Sequence, residues 1–253
     1  LPLDIYIVAS ANPEDYTNRG RIITPLKDRY GAEVRTHYPR SLDDEIAIME
    51  MECTRFDDGE RAVAVPRYMK EIVAEFTARA RASPDVNQRS GVSVRVSIAN
   101  YETIIANALR RAIRLGEKEA TPRISDLPYM VASTTGKIEP ETAEEGREEK
   151  LIEGFTRRAM SNVFGRHFKI EALEPLVSQF EEGLTIETGD DMPARDYVEL
   201  VGLIPPLREA VKTVSGDESP TAVASAVEFI LEGLHLNRRL NKDRAAGRTR
   251  YRG

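Results

Sequence analysis

The apolar run Ile5-Tyr6-Ile7-Val8-Ala9 constrains the fold more than any other stretch of the chain. No charge interrupts it, which is the pattern of a strand buried on both faces of a parallel sheet. Polar residues begin where it stops. Ser10, Asn12 and Asp15 are therefore expected just past the strand's carboxyl end, where open α/β sheets place ligands. A segment carrying Arg19, Arg21, Lys27 and Arg29 follows, with Thr24-Pro25 as a helix start, and a second short strand is expected over 33–38.

Beyond residue 40 the periodicity is helical. Ser41 precedes Asp43, Asp44 and Glu45, so it is read as the N-cap of a helix whose first turn carries the acids that the helix dipole favours. Ile46, Met49 and Cys53 follow at helical spacing, and Asp57-Asp58-Gly59 is a stop. A helix over 67–81 carries Met69, Ile72, Val73 and Phe76 on one stripe, closed by Ser83-Pro84-Asp85. Ser97 is read as the cap of a long helix holding Tyr101, Ile104, Ile105, Ala108, Leu109, Ala112 and Leu115, ended by Gly116. Further helices are expected around Leu151, Phe155 and Val163, then over 169–182, 193–213 and 220–242. Pro205-Pro206 should kink or split the third of these. The last should bury Val223, Val227, Ile230, Leu231 and Leu234. After it the chain turns basic and is expected to fray unless a partner holds it.

The string of an apolar strand, Ala11-Asn12-Pro13-Glu14, then Leu26-Lys27-Asp28-Arg29-Tyr30-Gly31 and a second strand, resembles the AAA+ ATPases of the magnesium chelatase motor subunit and MoxR type. Gly91-Val92-Ser93-Val94-Arg95-Val96-Ser97-Ile98 is similar to the sensor 2 motif of the same proteins, except that Val94 stands where the family often has Pro. The resemblance covers about the first half of the chain. It implies that Asn12 is sensor 1, which orients the water attacking the γ-phosphate. It implies equally that Arg29 is the arginine finger reaching the next subunit's nucleotide, and that Arg95 contacts the phosphates of its own subunit. The chemistry suits these residue types, since phosphoryl transfer needs a neutral amide to place water and a cation on the developing charge; a finger is worth about 10³ to 10⁵ in rate.

On this resemblance the expected architecture is α/β plus all-α. The end of a parallel-sheet AAA+ nucleotide domain would occupy 1–40, a helical lid with sensor 2 41–132, a further helical domain 133–242, and a basic tail 243–253. The resemblance also implies ATP, Mg²⁺, a homo-oligomeric ring that is a hexamer, and a partner bearing a von Willebrand factor A domain. The motifs do not choose between metal insertion and protein remodelling. No Walker A or Walker B sequence occurs among the 253 positions. The chain lacks an initiator Met and starts just ahead of a central-type strand, so a preceding portion is expected, and the 253 residues alone are expected not to hydrolyse ATP.

Other signals read as ordinary structure. Gly136-Lys137 is no phosphate loop, because the motif G-x-x-x-x-G-K-[ST] would need Gly where Val131 stands and Ser or Thr where Ile138 stands. The pairs Asp43-Asp44, Asp57-Asp58 and Asp190-Asp191 lie beside helix caps or Gly turns, and His37, His167 and His235 have no ligand spacing. A net charge of −6 argues against a general nucleic-acid binder, and a regulator using its helices and basic tail on DNA stands third among the readings. The single Cys53 forms no internal disulfide and fits a reducing, cytoplasmic setting. No apolar run approaches the roughly 20 residues of a membrane span. The competing reading is a non-catalytic helical interaction module whose N-terminal strands are completed by a partner, favoured by the long stretch after 133 without a chemical motif.

Overall fold

The computed structural model describes residues 5–10, 28–56, 59–88, 90–142, 146–245 and 247–253. The chain divides into two compact units, Leu1–Tyr38 and Pro39–Gly253. Asn12, Thr24-Pro25 and Asp57-Asp58 lie outside the described residues.

In the first unit, residues 5–10 and 33–38 are not in strands, which corrects the expectation of two buried strands. Ile5, Tyr6, Ile7 and Val8 are 61 to 93 % exposed. The reason is physical: a strand is held by the ladder it shares with a neighbour, and no strand among the described residues pairs with either segment. The parallel-sheet part of the expected architecture is thus not seen, whereas the predominance of helix is.

The second unit opens with α1, Leu42–Glu52. The Ser41 hydroxyl accepts from the Asp44 amide at 3.1 Å, and the Asp44 carboxylate accepts from the Ser41 amide at 3.2 Å, a reciprocal capping box. Helix α1 buries Ile46 and Met49 and leaves Cys53 half-buried at its end. Burial pushes the Cys53 thiol up, as do Glu102 and Glu50, which disfavours the thiolate form. Helix α2, Arg67–Ala82, buries the stripe Met69, Ile72, Val73 and Phe76. Helix α3, Val94–Leu115, ends at Gly116, whose φ of 69° is the left-handed C-cap that glycine supplies without strain. Two-residue strands β1 (Ala62–Val63) and β2 (Glu119–Ala120) pair in parallel.

After a 3₁₀ turn over Ile124–Tyr129 come α4 (Met130–Thr134) and α5 (Arg147–His167). The α5 ring of Phe155 meets Phe76 of α2 edge-on at 6.0 Å. A second 3₁₀ turn, Ile170–Leu173, leads to α6 (Glu174–Glu181) and β3 (Thr185–Thr188). The proline pair does split the next helix, into α7 (Ala194–Leu203) and α8 (Pro205–Val214). Helix α9, Pro220–Leu236, is buried on nearly all sides, including the five apolar residues expected there. Its polar side chains are tied down. Ser225 donates to the Pro122 carbonyl at 2.6 Å, and buried Glu228 accepts from the Ser125 amide and the Tyr197 hydroxyl at 2.8 and 2.7 Å. Gly233 allows the closest approach: a Cβ there would overlap the buried ring of Phe164 on α5.

A second buried knot joins α3 to the loop beyond it. Arg111, 2 % exposed, donates to Asp126 at 2.6 Å and to the Thr121 carbonyl at 2.7 Å, while Asn107 and the Arg123 amide also donate to Asp126. Burial opposes the Arg111 charge, but the Asp126 carboxylate outweighs it and raises the guanidinium pKa.

The basic segment does not fray. Strands β4 (Asn241–Ala245) and β5 (Arg248–Arg252) form an antiparallel hairpin, and β5 also pairs with β3, giving the order β3-β5-β4. Alternation explains the outcome, because Tyr251 points inward, 3 % exposed, and donates to Glu232 at 2.6 Å, while the flanking arginines point outward. Arg250 pairs with Glu187 and Arg252 with Asp243, at 2.6 and 2.9 Å. The main hydrophobic core takes buried residues from Ile46 through Tyr251, with a small second cluster at Ala108, Ala112 and Ala120, so the stretches expected as lid and C-terminal domain share packing.

Candidate functional site

Of the three residues singled out from the sequence, Asn12 lies outside the described residues. Arg29 belongs to the first unit. It sits in the turn at 28–29, exposed, and makes no hydrogen bond or ion pair among the described residues. Arg95 belongs to the second unit and stands on the first turn of α3. Its amide donates to the Ser93 hydroxyl at 3.2 Å, so Ser93 and not Ser97 caps the helix. Gly91, at φ 65°, turns the chain into that cap. Val94 occupies the first helical position, where proline is favoured for its fixed φ and missing N–H.

Ser97 has a different task. It is fully buried and donates to Glu45 of α1 at 2.5 Å, with the Thr77 hydroxyl of α2 at 2.6 Å from the same oxygen. Glu45 in turn accepts both terminal N–H groups of Arg81 from α2, at 2.6 and 3.0 Å. The Arg81 Nε–H donates to the Val92 carbonyl at 2.9 Å. One carboxylate and one guanidinium, with side chains 3 and 13 % exposed, therefore pin α1, α2 and the entry to α3 to one another. The Arg95 side chain projects from this rigid base, exposed, with no side-chain partner among the described residues. A planar guanidinium at the positive end of a 22-residue helix is suited to an anion, above all a phosphate.

Sequence reasoning missed Glu45 and Arg81 as a site-building pair. Glu45 read as a first-turn acid and Arg81 as a helix end, and the 36 positions between them leave no local signal. The remaining polar candidates resolve into structure. Asp43 pairs with Arg67, and Asp190 faces Arg110, Arg111 and Arg114, while Asp191 pairs with Arg248. The Gly136 amide donates to Glu148 at 2.7 Å, closing the turn before Lys137 with a carboxylate. The His37 ring lies against the Tyr38 carbonyl, His167 against Glu71 and His235 against the Leu240 carbonyl. Among the described residues no group of three His, Cys, Asp or Glu side chains could hold a metal ion, and no helix is long and apolar enough to cross a membrane.

No family model, no curated protein and no solved structure matches the chain.

Proposed function

We propose that this chain is part of an AAA+-type ATPase motor of the magnesium chelatase motor subunit or MoxR class, with Arg95 as the residue that contacts nucleotide phosphate. The observation that carries this reading is the unpartnered Arg95 side chain at the start of α3, on a helix entry pinned by the Glu45–Arg81 pair. In the same reading Asn12 aligns water and Arg29 completes the site of an adjacent subunit in a ring that is a hexamer. The Walker residues that bind ATP are not among the 253 positions, so the reading requires them from outside this stretch. The described residues offer no ligand set for Mg²⁺. A von Willebrand factor A domain protein is the partner this class implies, and the cytoplasm its setting.

The test is titration of Mg·ATP into a polypeptide that includes the Walker motifs, comparing wild type with Arg95→Ala and Arg29→Ala. Arg95→Ala should weaken ATP binding by about tenfold, the loss of one charge-assisted pair. Arg29→Ala should leave binding intact and lower turnover by about 10³ or more. Unchanged affinity in the first variant, or unchanged turnover in the second, removes that residue from the mechanism.

A second reading has its own observation. Ile5, Tyr6, Ile7 and Val8 form a continuous exposed apolar stretch, which marks interaction surfaces. In that reading the chain is a non-catalytic helical module whose N-terminal segment is completed by a partner's sheet. It predicts amide protection of residues 5–10 on partner binding, with no dependence on nucleotide.

A further inference from the structure

A polar cleft of about 320 Å³ opens between the start of α1, the second half of α2 and the end of α5. Its lining carries four guanidinium groups, from Arg40, Arg79, Arg81 and Arg166, against two carboxylates, from Glu45 and Glu75. Four positive charges less two negative ones leave a surplus of two. Arg95 is not among the lining residues, so this cleft is distinct from the face at the start of α3.

The two carboxylates are buried, Glu45 at 2 % and Glu75 at 4 % exposure, and both are committed to holding the arginines. Glu75 accepts from Arg79 at 2.8 Å, from Asn162 at 2.9 Å and from Arg166 at 2.5 Å. Burial alone would raise its carboxyl, yet the donors from Asn162, Arg166 and Arg79 hold it below the usual range. Each of Arg79 and Arg166 spends a single N–H on Glu75. Their other N–H groups have no partner among the described residues, and the side chains are 47 and 43 % exposed. Arg40, at the rim, makes no hydrogen bond or ion pair among the described residues. The cleft thus presents cations from α2 and α5 whose positions are set from beneath, with donors left over.

We propose that this cleft binds a phosphate group, as inorganic phosphate or as a phosphorylated side chain. A surplus of two positive charges matches a phosphate dianion, and the planar guanidinium forks suit its oxygens. Because Glu75 already orders Arg79 and Arg166, little side-chain freedom remains to be lost on binding. The amide end of α1 contributes little, since the Ser41 hydroxyl already occupies the Asp44 amide.

The experiment is calorimetric titration of the 253-residue chain in low-chloride buffer with inorganic phosphate, with phosphoserine and with glutarate as a carboxylate dianion. Both phosphate species should bind, glutarate at least about tenfold more weakly, and a preference for phosphoserine would identify a phosphorylated side chain as the source. Arg40→Ala should weaken phosphate about tenfold and Arg40→Glu abolish it. Arg40 holds no other group in place, so both variants should melt with wild type. Arg157→Ala, on the exposed face of α5 and outside the cleft lining, should bind phosphate as wild type does, which ties the effect to the cleft and not to surface charge in general. No phosphate binding up to about 10 mM, equal binding of glutarate, or wild-type binding by Arg40→Glu would each overturn the proposal.

Discussion

Residues 5–8 and strand β5 are opposites in composition and in state. The first is apolar and lies 61 to 93 % exposed with no ladder; the second alternates arginine with threonine and tyrosine and is the middle strand of its sheet. β-Propensity favours the first segment, yet only the second has neighbours on both sides. What makes a strand here is the supply of partners: backbone donors and acceptors from β3 and β4, a packed position for Tyr251, and carboxylates within reach of the outward arginines.

The contrast can be broken most directly by hydrogen exchange. Amides of residues 5–10 should exchange at close to unprotected rates in the 253-residue chain, while the laddered amides of 248–252 should be slower by about 10³ or more, as expected of a sheet that opens only by sub-global unfolding. Comparable protection of the two would end the comparison.

Next in size are the two anchors that supply order. Tyr251→Ala removes a buried ring and its bond to Glu232, and should destabilise by about 3–5 kcal/mol in denaturant melts, with loss of the hairpin. Glu45→Ala leaves the half-buried Arg81 guanidinium without its carboxylate and loosens the entry to α3, and should cost about 3 kcal/mol. If Tyr251→Ala is nearly neutral, charge and not packing holds the hairpin.

Acid provides a graded version. The folded pKa of Glu75 lies below its ordinary value of 4.5, so its stabilisation is fully present above that pH and is lost as pH falls from 4.5 through the folded value. Melting temperature against pH should therefore fall more steeply below 4.5 for wild type than for Glu75→Gln. The smallest effect belongs to the outward arginines. Arg250→Ala, at the exposed ion pair with Glu187, should cost less than about 1 kcal/mol and leave the hairpin formed.

Features with a local cause were legible in the sequence. Ser41 as a cap, Gly116 as a stop and Pro205-Pro206 as a break each act within a turn or two of themselves, and each is found where its chemistry places it. The sequence puts the cap of α3 four residues late, because Ser93 and Ser97 both precede helical residues and only the tertiary bond to Glu45 shows that Ser97 is inside. The pairs Glu45 with Arg81, Glu75 with Arg166 and Arg250 with Glu187 join positions 36, 91 and 63 apart, and nothing within a local window marks them. For the candidate site, the motif singles out Arg95, but a cap at Ser97 leaves it ahead of the helix; its place in the first turn and the scaffold beneath that turn come only from the fold. The hairpin was hidden for a related reason, since its arginines look like a solvated tail until the carboxylates of β3 and β4 are set beside them.

Because β5 is synthesised after both of its neighbours yet lies between them, β3 and β4 have no contact through which to form a sheet in its absence. Shortening the polypeptide by this one strand would not trim an edge. It would separate the two remaining strands and expose the side of α9 that carries Glu232, so a small loss of length would act as a loss of architecture.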